Sequence, residues 1–127
     1  MNVLTIREPI EAIHIDTNRL GHHLKRSVEQ EVSDHVFHLA DTMAQALGEA
    51  ETNFLNNRFD RLVSTVQKKI ATLAEMCGFI SVRTVAGDVS HAVQRNDAVA
   101  VSATVHRLLR IGEKSLYAIW DLPEQFV

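Results

Sequence analysis

The side chains able to do chemistry are few and thinly spread. Seven histidines, one cysteine and sixteen acidic residues occupy the 127-residue chain, and a reaction would need some of them at a defined spacing. His35 and His38 are three apart, which turns two imidazoles to the same side of a helix and would suit a pair of metal ligands. No third ligand accompanies them at a recognisable spacing, so they read as a helix-surface pair and no metal is expected. His91 and His106 flank apolar stripes and read as solvated or hydrogen-bonded, and His14 lies in a segment of weak pattern. Cys77 sits on the apolar side of its stripe beside Gly78 and reads as a small core residue, not a reactive thiol. The chain has no Gly-rich phosphate loop, no His-Glu-x-x-His and no cysteine pair. Acidic pairs such as Glu49 with Glu51, or Asp88 with Glu75, have no pattern that separates acid–base chemistry from a solvated face. The expectation is a protein without catalytic residues or cofactor.

The elements that carry these residues are legible as apolar stripes. Val32, Val36, Leu39, Met43, Leu47, Ala50 and Phe54 recur every three or four positions, as on a helix with one buried face. Ser33 or Asp34 could cap its start. Asn56 and Asn57 break the pattern, and Phe59, Leu62, Val63, Val66, Ile70, Leu73 and Cys77 form a second stripe that Gly78 closes, as a C-terminal glycine should. Val82, Val85, Ala86, Val89 and Val93 form a third, ending at Arg95-Asn96-Asp97. Ala98, Val101, Val105, Leu108, Leu109, Gly112, Leu116 and Ile119 form the fourth, which Leu122-Pro123 stops. Helices with such short connections are antiparallel neighbours, so the expected fold is all-α, an up-down four-helix bundle over residues 31–122. Residues 1–30 are apolar but only partly periodic, and Pro9 interrupts them. They read as a covering segment plus a short helix packed on the bundle.

Composition sets the outer bounds. With 46% apolar residues, 23% charged and a net charge of -3, the chain has the profile of one globular domain large enough to bury a core unaided. A lone cysteine fits a reducing compartment. Arg7, Glu8, Pro9 and Glu11 interrupt the first residues, so no signal peptide is expected. No run approaches the about 18 apolar residues of a membrane span, so a cytoplasmic protein without a membrane is expected. Thirteen basic residues against sixteen acidic, without a basic block, leave no footprint for nucleic acid.

The second stripe carries a resemblance. Lys68-Lys69-Ile70-Ala71-Thr72-Leu73-Ala74-Glu75-Met76-Cys77-Gly78-Phe79 resembles the central helix of the histidine-containing phosphotransfer (Hpt) domains of two-component signalling, whose pattern is of the type His-Lys-Ile-Ala-Gly-Ser-Ala-x-x-x-Gly-Phe. Lys69, Ile70, Ala71, Ala74, Gly78 and Phe79 match without a gap. Val82 and Val85 hold the apolar positions of that family's next helix, and Asn96-Asp97 resembles the dipeptide before its last. The resemblance spans residues 32–119. It departs from the family where the chemistry lies: the phosphoacceptor histidine falls on Lys68, the glycine that admits a partner on Thr72, and the serine on Leu73. In the family a neutral imidazole nitrogen attacks an aspartyl phosphate. An exposed lysine, with an unperturbed pKa of about 10.4, is protonated and has no lone pair to offer. Periodicity places Ser64, Lys68, Ala71 and Glu75 on the side away from the apolar stripe.

The resemblance therefore implies a docking module that has kept the surface and lost the nucleophile. Its partner would be a response-regulator receiver domain or a histidine kinase, met by Ser64, Lys68, Lys69, Ala71, Thr72 and Glu75, with no phosphate carried. Two alternatives stand beside it. His22-His23-Leu24-Lys25-Arg26-Ser27 spells His-x-Leu-Lys-x-Ser, the family's other acceptor pattern, which would make His22 the phosphoacceptor of an active phosphotransferase. Arg26 in place of glycine and the charged run Val28-Glu29-Gln30-Glu31 count against it. The other alternative is a structural helical bundle, dimeric through the apolar leader, in which Lys68 is a solvated surface residue.

Overall fold

Three residues in the left-handed region, Asn57 (φ 55°), Gly78 (φ 75°) and Asn96 (φ 53°), end three helices by one device. In each case the next residue's N–H reaches back five positions to a helix carbonyl: Arg58 to Asn53 at 2.8 Å, Phe79 to Ala74 at 2.9 Å and Asp97 to Ala92 at 3.2 Å. This closure satisfies carbonyls that a helix end leaves unpaired, and it needs a residue that tolerates positive φ, which asparagine and glycine do best.

The computed structural model describes residues 3–7, 12–24 and 32–120. Strands β1 (Val3–Arg7) and β2 (Ala12–Asp16) lead into α1 (Thr17–Leu24), followed by the long α2 (Val32–Leu55). Residues 59–77 form one continuous rod: α3 (Phe59–Thr65), a π-helical turn (Val66–Ile70) and α4 (Ala71–Cys77). Helices α5 (Ile80–Gln94) and α6 (Ala98–Trp120) complete the order. Asp97 both follows one helix and caps the next, its Oδ1 accepting the Ala100 N–H at 3.0 Å, as expected of an Asn-Asp break. Ser33 and Asp34 fall inside α2, which begins at Val32, so neither precedes the helix as a cap would.

The fold is mostly helical, as expected, and the leader holds the expected short helix, α1, but the segment before it that covers the core is a two-stranded hairpin that the sequence reading did not foresee. Strands β1 and β2 pair antiparallel, Val3 opposite Asp16 and Arg7 opposite Ala12. In β2, Ile13 and Ile15 are fully buried while His14 between them is exposed, the period-two alternation of a half-buried strand. Pro9 lies between the strands, outside the described residues. Asp16 then caps α1, its Oδ1 accepting the Arg19 N–H at 3.1 Å.

Strand β2 is seated on the junction between α4 and α5. Ile15 forms a bridge with Phe79, and the Asp16 N–H donates to the Gly78 carbonyl at 2.7 Å. A Cβ on Gly78 would lie 2.5 Å from the Asp16 carbonyl oxygen, so glycine is required there by approach as well as by φ. The His14 N–H adds a bond to Ser81 Oγ at 2.8 Å. Ile13, Ile15 and Leu20 thereby join the same core as Phe79, Ile70, Val85 and Leu108.

Helix α2 packs against α3, the π-helical turn and α6; α5 packs against α4, the π-helical turn, α6 and β2. Gly112 brings α6 close to α2, because a Cβ there would overlap Leu47 at 2.6 Å. The second stripe faces the core as read, with Leu62, Val66, Ile70 and Cys77 buried and Phe59 packed against them, and Ala74 joins it. Leu62, Val66, Ile70 and Ala74 are buried at intervals of four, and Leu73 is only half-buried. In a plain α-helix each step of four overshoots the turn by about 40°, so such a row would drift off the core. The π-helical turn widens the ring, with the Ala71 N–H bonding back five residues to Val66, and keeps the row in line. Cys77 is buried, and burial pushes its thiol up from 9.0 to about 11. No described helix is long and apolar enough to cross a membrane.

Two outcomes follow from this packing. Gly78→Ala places an L-residue in the left-handed region, costing about 1–2 kcal/mol, and drives its Cβ into the Asp16 backbone; urea unfolding should show a loss beyond that range, and unchanged stability would mean β2 is not seated there. The raised Cys77 pKa gives stability that is complete below the unfolded value near pH 9 and lost as pH rises towards 11, about 2–3 kcal/mol in all. Cys77→Ala should flatten that alkaline loss in unfolding curves measured across the range.

Candidate functional site

The outer face of the 59–77 rod carries the positions expected to dock a partner, and the structure divides them into three groups. Lys68 and Thr72 are exposed, and Lys68 makes no hydrogen bond or ion pair among the described residues. Ser64 is half-buried, and Ala71 is half-buried against the core, so Ala71 belongs less to the outer face than its spacing implied. Lys69 and Glu75 are both committed to partners inside the molecule.

Lys69 is held from α2. Its Nζ donates to Glu49 Oε2 at 2.7 Å, and the other carboxylate oxygen accepts from Thr65 Oγ1 at 3.3 Å. Thr65 in turn accepts from Asn53 Nδ2 at 3.4 Å. Thr65 and Asn53 are buried, so the carboxylate sits at the mouth of a small polar chain running into the α2–α3 contact. Thr65 and Lys69 are four apart across the start of the π-helical turn, which points both at Glu49. The hydrogen bond from Lys69 is the main cause of a Glu49 carboxyl held below its ordinary 4.5; burial opposes it, and the Lys69 charge and the Thr65 hydroxyl add to it.

Glu75 is held at the other end of the face. Arg83 from α5 approaches it at 2.6 Å and Arg19 from α1 at 3.4 Å, so one carboxylate ties the leader and α5 to α4. The two ends therefore bound a short open stretch of rod. Beside it lies a cleft of about 370 Å³ between α2 and the rod, lined by Thr42, Gln45, Ala46, Glu49, Lys68, Lys69, Thr72 and Leu73. Its one uncommitted cation is Lys68; besides the Glu49–Lys69 pair its polar groups are the Gln45 amide, which donates to Asp41 Oδ2 at 2.9 Å, and two threonine hydroxyls, of which Thr42 donates to the His38 carbonyl.

Glu49 and its buried supports were not found as site residues from sequence. Glu49 stood only as one of an uninformative acidic pair with Glu51, which is exposed. The i,i+4 spacing of Thr65 and Lys69 was visible, but their shared partner lies on another helix. Asp88, paired in the sequence reading with Glu75, instead meets Arg107 at 3.5 Å while Glu75 meets Arg83. Of the histidines, His38 and His91 are exposed, and the side chains of His22 and His35 lie outside the described residues. His106 has Nδ1 2.7 Å from the Ser102 carbonyl and its ring edge-on to Phe54. Among the described residues, no three His, Cys, Asp or Glu side chains gather as metal ligands would.

The Glu49–Lys69 pair carries a pH signature. Because the folded carboxyl titrates below its unfolded value, its contribution is present above about pH 4.5 and lost as pH falls through the lowered value. Glu49→Gln should remove that acid dependence from unfolding curves between pH 3 and 7, and at neutral pH should cost about 0.2–1 kcal/mol, since the pair is partly exposed. An acid limb identical to the parent's would mean the pair is not formed.

Set against family models, curated proteins and solved structures, the chain matches none.

Proposed function

We propose that this chain is a docking module of the histidine-containing phosphotransfer type that binds an acidic pocket without accepting phosphate. In this reading α2, the 59–77 rod, α5 and α6 form an up-down antiparallel four-helix bundle. Support comes from their contacts, which link α2 to the rod, the rod to α5, α5 to α6 and α6 back to α2. The leader packs on that bundle through β2 and α1. The partner is a response-regulator receiver domain or a histidine kinase, met in the cytoplasm.

The observation that carries the reading is Lys68: exposed near the middle of the rod and unpaired among the described residues, while Lys69 beside it and Glu75 two turns on are both paired. Its ammonium takes the place of the imidazole on the resembling sequence, and it enters the partner's carboxylate pocket as a cation rather than as a nucleophile. Exposed Thr72 stands where the resembling pattern has glycine, so the approach is less close than for a transferring domain. The module acts by occupying or blocking the partner's pocket, not by turnover.

Purified receiver domains, titrated against the protein, test this directly. Binding should weaken as salt rises, because it rests on a charge pair at the surface, and Lys68→Glu should abolish most of it by setting carboxylate against carboxylate. Incubation with phosphorylated receivers should leave no acid-labile phosphate on the protein. Acid-labile phosphate that appears on the parent and disappears in His22→Ala would overturn the reading and make His22 the acceptor.

A further inference from the structure

We infer that Glu49 sets the specificity of the Lys68 face: by holding Lys69 against α2 it leaves the cleft one free ammonium, which selects a partner offering one compact carboxylate cluster over an extended polyanion. This rests on the docking role proposed for Lys68. It adds the kind of acidic surface that is accepted and the residue that decides it.

The geometry separates Glu49 from an ordinary surface ion pair. Both carboxylate oxygens are engaged, Oε2 by Lys69 at 2.7 Å and Oε1 by Thr65 at 3.3 Å. The second contact is anchored by Asn53, and Asn53 and Thr65 are 8% and 4% exposed, so the carboxylate is positioned from the interior and not by a free side chain finding a neighbour. Lys69 and Lys68 adjoin on the π-helical turn and line the same cleft. Without Glu49 the cleft would present two adjacent ammonium groups and a net charge of two. With it, the local charge is one, concentrated at Lys68.

Charge number and spacing decide what binds. An extended acidic peptide gains from each additional cation it can reach, and its binding weakens more steeply with salt as cations are added. A single carboxylate cluster in a concave pocket needs one inserted cation, and a second ammonium held back by its own counter-ion neither helps nor hinders it. Glu49 therefore acts against the wrong partner more than for the right one, which is how discrimination is commonly built.

The test compares the parent, Glu49→Gln, Glu49→Gln/Lys69→Gln and Lys68→Glu by fluorescence anisotropy with a labelled hexa-aspartate peptide and, separately, with the receiver domains. Glutamine keeps an oxygen for the Thr65 hydroxyl, and circular dichroism melts check that each variant is folded. Glu49→Gln should bind the peptide about two- to fivefold more tightly, the range of one exposed ion pair, with a steeper salt dependence. Adding Lys69→Gln should return both to the parent's values. The inference is overturned if Glu49→Gln leaves peptide affinity unchanged, or if its gain survives the loss of Lys69. Receiver binding lost in Lys68→Glu, with no peptide gain in Glu49→Gln, overturns the role of Glu49 alone. A peptide gain that Lys69→Gln reverses, with no receiver bound by the parent, overturns the docking reading and leaves the restraint of Lys69 by Glu49 standing.

Discussion

The hydrogen bond from the Asp16 N–H to the Gly78 carbonyl is possible only because Gly78 has no Cβ, and much of the molecule is arranged around that contact. Gly78 ends α4 in the left-handed region, so α5 leaves at an angle that the chain can adopt with few other residues. The space where its side chain would be is filled by the corner between β2 and α1. One residue thereby fixes the end of the rod, the start of α5 and the seat of the leader. The leader in turn supplies Ile13, Ile15 and Leu20, all without solvent exposure, to a core that the four long apolar stripes would otherwise leave open at that end. Burying such a side chain stabilises by about 1.5–3 kcal/mol, so three of them are comparable with the whole net stability of a small domain.

How much of this was legible depended on whether the signal was local. Helix ends at Asn57, Gly78 and Asn96 were readable because the left-handed conformation belongs to the residue that adopts it. The stripes of α2, α5 and α6 were readable because each helix is regular, and Val82, Val85, Ala86, Val89, Val101, Val105, Leu108 and Ile119 are buried as their spacing required. Leu73 packs against the core as its stripe required but is only partly buried, and Ala74 is buried beside it, because the π-helical turn before them changes the angular count and no residue in Val66-Gln67-Lys68-Lys69-Ile70 announces it. The hairpin was obscured for a different reason. Its inward set in β2 is only Ile13 and Ile15, two residues in one strand, too short a run to establish period two beside helical patterns of seven positions.

The candidate site shows the same division. Lys68 and Thr72 are exposed as their distance from the apolar stripe implied. What periodicity could not supply is the set of tertiary partners that decide which exposed charges are available. Nothing in the sequence near Lys69 or Glu75 marks either as paired, yet each is neutralised by a residue on another element: Glu49 lies 20 residues before Lys69, and Glu75 meets Arg83 from α5 and Arg19 from the leader.

Electrostatics on the rod thus follows from how the rod is held. Glu75 faces two guanidinium groups because β2 and α1 are seated at Gly78, which brings Arg19 beside Arg83. Glu49 faces Lys69 because the π-helical turn and the buried Asn53–Thr65 contact set α2 and the rod in register. Both pairs are partly exposed and individually worth little to stability, so their effect lies less in holding the fold than in setting which charges remain unpaired on the rod's outer face. The π-helical turn keeps Leu62, Val66, Ile70 and Ala74 on the core. Its other consequence is to set Lys68 in solvent while Lys69, one residue on, is drawn to Glu49 of α2, so that two adjacent ammonium groups meet different surroundings.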